Sequence, residues 1–363
     1  MNGPLDLLLF WGMVWTALGS GVFAITHWAA QRMGNAAGRH LAWTFAFLVV
    51  ALLPVSHATC QRVVKEHDLP PAARENLAES ERQRTAAATT PPGQGASCPS
   101  TRARPPGWQL LGHSFFGVWA AGALLTLGRG IAAWRKLHQW RARSRIFQPD
   151  LSGLPEPLLA ALQPGRIELR IAVEDGPGVP ITWGARRAIV LLPSPAVAWC
   201  RERLAAVLAH ELGHIRRWDN FRQLFAFVVC ALHWFNPLFW AAARRMKAQA
   251  ELAADDAAIL TGLRPSLYAA ELLALASTLR AAPVIGASAL TPMFQAFTVE
   301  ERIRSIVNPN ALRARLGPAA HAKMAVAFGF FLCALTALTL EIDSVRHLAD
   351  SPTSAAECLA NQA

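Results

Sequence analysis

His210, Glu211 and His214 are the residues of this sequence best suited to chemistry, because they form the pattern His-Glu-x-x-His. In a helix, side chains four residues apart lie on one face, so both imidazoles can bind one metal ion. The Glu211 carboxylate then lies beside the metal, where it can act as a base toward water. The spacing therefore predicts a hydrolytic Zn²⁺ centre. The alternative is a pair of histidines on a helix surface.

Glu251 is the best candidate for the third protein ligand that a catalytic zinc ion needs. It lies in an Ala-rich stretch that is predicted to be helical from Asn236-Pro237 to a stop near Gly262. Taken without the His-Glu-x-x-His pattern, Glu251 is better interpreted as an exposed helical carboxylate.

Two aspartates are candidates for orienting the zinc-bound imidazoles. Asp255 is one helical turn from Glu251 on the same face, and Asp219 follows shortly after His214. A carboxylate that accepts the second ring N–H of a ligating histidine fixes the orientation of that ring. Asp219 is explained equally well by an ion pair with Arg216 at the end of the helix.

The chain that carries this motif is unusually apolar, with 53% hydrophobic and only 16% charged residues. Soluble domains have about 25% charged residues, so a membrane protein is indicated. Four apolar runs are predicted to form membrane-spanning helices: residues 7–26, 41–58, 105–128 and 324–340.

The net charge of +11 predicts the orientation of these helices. Basic and acidic residues balance outside residues 129–323, so the whole positive excess lies in that segment. Because basic segments stay on the cytosolic side, we expect residues 129–323 in the cytosol and both chain ends outside. A basic chain can also bind nucleic acid, but no recognition motif accompanies the charge, so we expect no direct nucleic-acid binding.

Residues 223–243 are a further run without charged side chains. If this run crossed the bilayer, His210 and Glu251 would be separated by about 30 Å of hydrocarbon and could not share a metal. We therefore expect Pro237 to break the run into a helical hairpin that returns to the same side. Its apolar flank is then either buried in the fold or in contact with the membrane.

Strand signals precede the metal motif at residues 166–173, 179–183 and 188–192, with a turn at Gly184. A helix is predicted from Ser194-Pro195 to about Arg217. The last two strands form a hairpin that could offer an edge strand to a peptide substrate.

Five segments in this order resemble one family: GVPITWGARRAIVLLP, HELGHIRRWDN, HWFNPLFW, AELAADDA and LYAAELL. They are similar to the integral-membrane zinc metallopeptidases of the BlaR/MecR antirepressor type. The resemblance implies a gluzincin-like cytosolic α+β metallopeptidase domain between the third and fourth helices of a mainly α membrane protein. It implies His210, His214 and Glu251 as zinc ligands and Glu211 as the catalytic acid and base. It also implies a multi-pass protein of the bacterial inner membrane that cleaves a cytosolic protein, a DNA-binding repressor of the winged-helix type, in response to a signal.

The expected organisation follows from these assignments. Residues 1–128 hold three membrane helices and a disordered outer loop (59–104), residues 129–323 form the peptidase domain, residues 324–340 form the fourth helix, and residues 341–363 form an outer tail. Cys60 and Cys98 at the ends of the loop either pair or stay as thiols. The tail contains no Ser-x-x-Lys, so we expect no penicillin-binding sensor domain. This departure keeps open an alternative function, a non-catalytic zinc-containing membrane signalling protein.

Overall fold

The computed structural model describes residues 4–67, 106–162, 165–173, 176–184, 187–281, 299–314 and 316–350. Ten α-helices and four strands are found in this part of the chain. They are α1 (Pro4–Ala30), α2 (Ala36–His67), α3 (Pro106–Arg143), β1 (Arg145–Ile146), α4 (Glu156–Ala161), β2 (Ile167–Ile171), β3 (Ile181–Trp183), β4 (Ala188–Leu192), α5 (Arg201–Arg217), α6 (Asp219–Leu232), α7 (Pro237–Ile259), α8 (Pro265–Ala281), α9 (Val299–Val307) and α10 (Pro318–Asp350). The predicted outer loop and Cys98 lie outside the described residues.

Three helices are long and apolar enough to cross a membrane: Ala36–Val63 in α2, Ser114–Arg143 in α3 and Pro318–Ser344 in α10. Ala36–Val63 and Pro318–Ser344 contain the second and fourth predicted spans, and Ser114–Arg143 overlaps the third at residues 114–128. The first predicted span lies within α1, and its crossing stays a prediction, as do the count of four spans and their orientation. The helix α3 continues unbroken to Arg143, so the basic residues after position 128 prolong that helix.

The chain forms two compact units. One consists of residues 1–15, 49–118 and 329–363, and it contains the contact of His57 Nδ1 with Thr339 Oγ1 at 2.9 Å. The other consists of residues 16–48 and 119–328 and contains the His-Glu-x-x-His motif. The predicted division into residues 129–323 and flanking membrane segments stays a prediction.

A small mixed sheet supports the motif, with strand order β1-β2-β4-β3. The strands β2 and β4 are parallel, and β3 and β4 form the expected antiparallel hairpin. Gly184 leaves β3 with φ +111°, a conformation that favours glycine. All five residues of β4 are buried, whereas β3 lies at the edge of the sheet. No sequence pattern predicts β1, which has only two residues.

The helix α5 begins later than predicted. Ser194 and Pro195 open a single 3₁₀ turn, Ser194–Ala198, and Cys200 is extended at the N-cap of α5. Trp199 and Cys200 are both extended, so they separate this turn from α5, whose buried apolar positions start at Leu204. The Ser194-Pro195 pair, which predicted the start of a long helix, therefore begins only a single 3₁₀ turn.

The run 223–243 is broken as its proline predicts. The helix α6 ends at Leu232, and α7 begins at Pro237 with Asn236 as its N-cap. The Asn236 Oδ1 accepts a hydrogen bond from the Leu238 N–H at 2.9 Å. The two helices pack against each other and form a hairpin.

Gly213 allows α5 and α7 to pack with their backbones in contact. A Cβ atom at this position would lie 3.2 Å from Ala254 Cα and 3.3 Å from the Ala254 carbonyl oxygen. The helix accepts the cost of a central glycine, about 1 kcal/mol relative to alanine, where another backbone comes this close. The separation of α5 and α7 is thus fixed at a residue between His210 and His214.

We expect Gly213→Leu to lower the free energy of unfolding by about 1–3 kcal/mol, because overpacking forces the two helices apart. The measurement is the thermal midpoint of the full chain in detergent. Gly329→Leu is the matched control, since a Cβ atom at this helical glycine meets nothing within 4 Å. Equal midpoints for the two variants would contradict the close approach of α5 and α7.

Candidate metal centre

The helix α5 presents His210 and His214 side by side. Their Nε2 atoms are 3.2 Å apart, and their rings are nearly perpendicular, at 83°. The neighbouring positions Leu204, Leu208 and Leu212 are buried in the core, which fixes the rotation of the helix. The spacing of four residues therefore brings both imidazoles to one point.

Glu251 reaches this point from α7. Its Oε2 lies 3.4 Å from His210 Nε2, and its Oε1 lies 3.8 Å from His214 Nε2. The donor atoms of the three side chains all lie within 4.8 Å of one another. The structure thus brings together the three side chains that the sequence singled out as ligands.

This donor set fits a zinc ion. Two imidazole nitrogens and one carboxylate oxygen are its common ligands in hydrolases, with one position left open. Bonds of about 2.0–2.1 Å in a tetrahedron separate neighbouring ligand atoms by about 3.4 Å. The separations of 3.2 Å between the two histidines and 3.4 Å between His210 and Glu251 match this value. The third separation, 3.8 Å between His214 and Glu251, is longer, so Glu251 would have to move closer to hold the ion.

Asp219 supports His214 from the first turn of α6. Its Oδ2 lies 2.8 Å from His214 Nδ1, and the same oxygen accepts a hydrogen bond from Arg217 Nη2 at 2.5 Å. Burial raises the pKa of Asp219, but the hydrogen bond with His214 and nearby cations lower it to about 2. The carboxylate is therefore ionised and holds the His214 ring from the side opposite Nε2. The arginine that neutralises it is Arg217, one residue beyond the predicted Arg216.

Asp255 supports His210 in the same way from α7. Its Oδ1 lies 3.0 Å from His210 Nδ1 and accepts a hydrogen bond from the Tyr268 hydroxyl at 2.7 Å. Burial lowers the pKa of His210, but the hydrogen bonds to Asp255 and Glu251 outweigh it and raise that pKa to about 9. The His210 imidazole therefore carries a proton at neutral pH unless a bound metal ion displaces it.

Arg302 is one of the site residues that sequence reasoning missed. It lies on α9 and donates to both oxygens of Asp255, from Nε at 2.9 Å and from Nη2 at 2.6 Å. Its Nη1 also lies 3.5 Å from Glu251 Oε2. In the sequence it is one arginine in a charged amphipathic helix, and only the packing of α9 brings it to the site.

Glu211 is held by the edge strand of the sheet. It is 8% exposed, and its Oε2 accepts a hydrogen bond from the Thr182 hydroxyl on β3. The Thr182 carbonyl in turn accepts a hydrogen bond from Asn220 Nδ2 at 2.7 Å. The Glu211 carboxylate, which follows His210 in the chain, is thus held by β3, and β3 is held by the start of α6. Neither Thr182 nor Asn220 has a sequence signal of its own.

Comparison with known proteins identifies the family. The family model described as BlaR1 peptidase M56 matches residues 14–306. The chain is also 25% identical over 159 residues to the regulatory protein BlaR1 of Bacillus licheniformis, which covers 42% of this chain and 26% of that protein. The chain thus spans about a quarter of the length of that relative. Because the family model covers most of the chain, the protein belongs to the BlaR1 peptidase M56 family of membrane-associated metallopeptidases.

Proposed function

We propose that the protein is a membrane-embedded zinc endopeptidase that cleaves a cytosolic protein, a winged-helix transcriptional repressor, in signal-responsive regulation. The observation that carries the proposal is the convergence of His210, His214 and Glu251 with Glu211 beside them. The multi-pass location in the bacterial inner membrane, with the site on the cytosolic side, is supported by the apolar helices and by the basic segment 129–323.

Glu211 is the residue that moves protons in this proposal. A zinc ion supplies Lewis-acid chemistry, polarising a carbonyl group and making water more acidic. The Glu211 carboxylate takes a proton from the attacking water and delivers it to the leaving amine. The hydrogen bond from Thr182 orients Glu211 and leaves its other oxygen available for the proton.

The substrate in this proposal is an extended stretch of polypeptide. The strand β3 lies at the edge of the sheet and carries Thr182, whose hydroxyl contacts Glu211. A peptide that adds to β3 by backbone hydrogen bonds would lie beside the strand that contacts this carboxylate. Binding through the backbone favours a flexible loop of the repressor as the cleaved segment.

A non-catalytic zinc protein is the second candidate function. A structural zinc site is closed by four protein ligands, so this function would need a fourth ligand beside the same three. It would not need a base. Glu211, buried and fixed by Thr182, is better explained by catalysis. The metal content and the hydrolytic activity of the Glu211→Gln variant distinguish the two functions.

We expect Glu211→Gln to retain one zinc ion per chain and to lose peptide hydrolysis by at least about 100-fold, the low end of a general base contribution. The readouts are metal content and cleavage of a quenched-fluorescent peptide library by the full chain in lipid nanodiscs. Glu202→Gln, an exposed glutamate in the same helix, is the matched control. Hydrolysis by Glu211→Gln at the control rate would refute the proposed function.

Asp219→Asn should weaken zinc binding about 10- to 100-fold, because the His214 ring loses the carboxylate that orients it. The affinity is measured by competition with a chromophoric chelator. Asp256→Asn serves as control. Asp256 is on α7, but its carboxylate lies 3.4 Å from the Nε atom of Arg313 and supports neither imidazole in this proposal. If both variants bound zinc equally well, Asp219 would have no role in holding His214.

Zinc affinity should fall as the pH falls. Zinc binds neutral imidazole, whereas His210 in the metal-free site has a pKa of about 9 and must release its proton. Between pH 8.5 and 6.5 this one group should weaken binding by about tenfold per pH unit. Asp255→Asn removes one cause of the raised pKa, so its pH dependence should be shallower. An affinity independent of pH over this interval would show that His210 is already neutral.

A further inference from the structure

We propose that the α6–α7 hairpin is a re-entrant membrane element whose tip, residues 232–239, lies near the middle of the hydrocarbon layer and whose outer face is covered by lipid acyl chains. The proposal rests on α1 to α3 being membrane helices and on the contacts of the hairpin with them. It does not depend on whether the metal centre is catalytic.

The outer face of the hairpin is an uninterrupted apolar stripe. Six large side chains, spaced three or four residues apart, are each 39–58% exposed: Phe221, Leu224, Val228, Leu232, Phe235 and Leu238. The opposite face of α6, with Ala226, Phe227 and Cys230, is buried. A contiguous exposed stripe of this kind marks a contact with a membrane or with another protein.

The contacts with α3 measure how deep the tip lies. Trp119 Nε1 donates a hydrogen bond to the Leu232 carbonyl at 2.9 Å, and Trp234 Nε1 donates to the Trp119 carbonyl at 3.1 Å. The cytosolic flank of α3 starts at Arg129, which is about 15 Å along the helix from Trp119 at 1.5 Å per residue. Since the hydrocarbon layer is about 30 Å thick, Trp119 and the tip lie near its middle.

The contacts with α1 give the same depth independently. Asn236 Nδ2 donates to Ser20 Oγ at 3.0 Å, and the Phe239 ring meets the Phe23 ring edge-on at 5.0 Å. The helix α1 ends at Ala30, about 15 Å along its axis from Ser20. Two membrane helices that differ in sequence thus report one depth for the tip.

The backbone of the tip is suited to surroundings without water. In hydrocarbon, every carbonyl freed at a helix end needs a protein donor. Four carbonyls at the tip have one: Val229 from the His233 N–H at 3.1 Å, Leu232 from Trp119, His233 from the Asn236 N–H at 2.9 Å, and Trp234 from Trp240 Nε1 at 3.0 Å. Two of these donors are indole groups, which place an apolar ring where a solvated loop would have water.

Lipid is the occupant that these observations favour. The stripe lies at the depth of Leu124 and Leu125, exposed apolar residues of the membrane helix α3, so acyl chains are available at that depth. Its cytosolic end is marked by Arg216 and Trp218, both exposed. Arginine and tryptophan are the side chains that favour the headgroup region.

This depth also places the metal centre. Asp219, the first residue of α6, is about 20 Å along that helix from Leu232. With Leu232 near the bilayer middle, Asp219 and the His214 ring that it holds lie within about 10 Å of the hydrocarbon boundary. The peptide segment that is cleaved must therefore approach the headgroup layer.

The test is a depth measurement by nitroxide spin labels on the full chain in lipid nanodiscs. The six native cysteines are replaced, and single cysteines are placed at Phe235, Leu224, Leu124 and Val197. Val197 is the control, an apolar side chain that is 67% exposed outside the hairpin. Collision rates with oxygen and with a water-soluble nickel complex give the depth of each label.

We expect the label at position 235 to match that at 124, with frequent oxygen collisions and at least about tenfold fewer nickel collisions than at 197. The label at 224 should lie between the two. Nickel collisions at 235 equal to those at 197 would overturn the proposal, because water would cover the tip. Low rates with both reagents would overturn it too, because a protein surface such as a second copy would cover the tip.

A second measurement uses the native-cysteine chain and so does not depend on the cysteine replacements. A benzophenone amino acid is incorporated at position 235 or 197 and irradiated in nanodiscs. We expect a lipid adduct at 235 and none at 197. The absence of a lipid adduct at 235 would overturn the re-entrant assignment while leaving the test of Glu211 unaffected.

Discussion

The direct contact between the backbones of α5 and α7 is the constraint on which the site depends. His210 and His214 belong to one helix and Glu251 to another, so a metal centre exists only if the two helices keep a fixed and short separation. Gly213 lies between the two histidines and meets Ala254, three residues after Glu251. The place of closest approach and the place of the ligands are therefore the same.

The carboxylates around the ligands bind the site to the surrounding helices. Asp219 is fully buried and lies 3.6 Å from the Nδ1 of His40, a buried residue of α2. Gln249 on α7 accepts a hydrogen bond from Arg39 at 2.5 Å, and the α7 residues Leu252 and Ala253 pack on the start of α2. One end of an apolar helix thus contacts α7 directly and also contacts Asp219 on α6, the residue that holds the His214 ring.

Sequence reasoning predicted the parts of the site that depend on one helix at a time. The four-residue spacing of His210 and His214 fixes their common face, and the proline and glycine signals around α7 place Glu251 and Asp255 in a helix. Thr182 and Arg302 could not be found in this way. Each reaches the site through the packing of its strand or helix, and neither residue type is unusual in its local sequence.

The contacts of the hairpin have a consequence for handling the protein. A fragment of residues 129–323 would contain every proposed ligand, yet Asp219 would lose His40, Phe239 would lose Phe23, and the Leu232 carbonyl would lose the Trp119 indole. The surfaces uncovered by that cut are apolar or carry buried charge, so they favour aggregation in aqueous buffer. Biochemistry on this peptidase belongs in detergent or lipid, with the helices that precede the catalytic segment left attached.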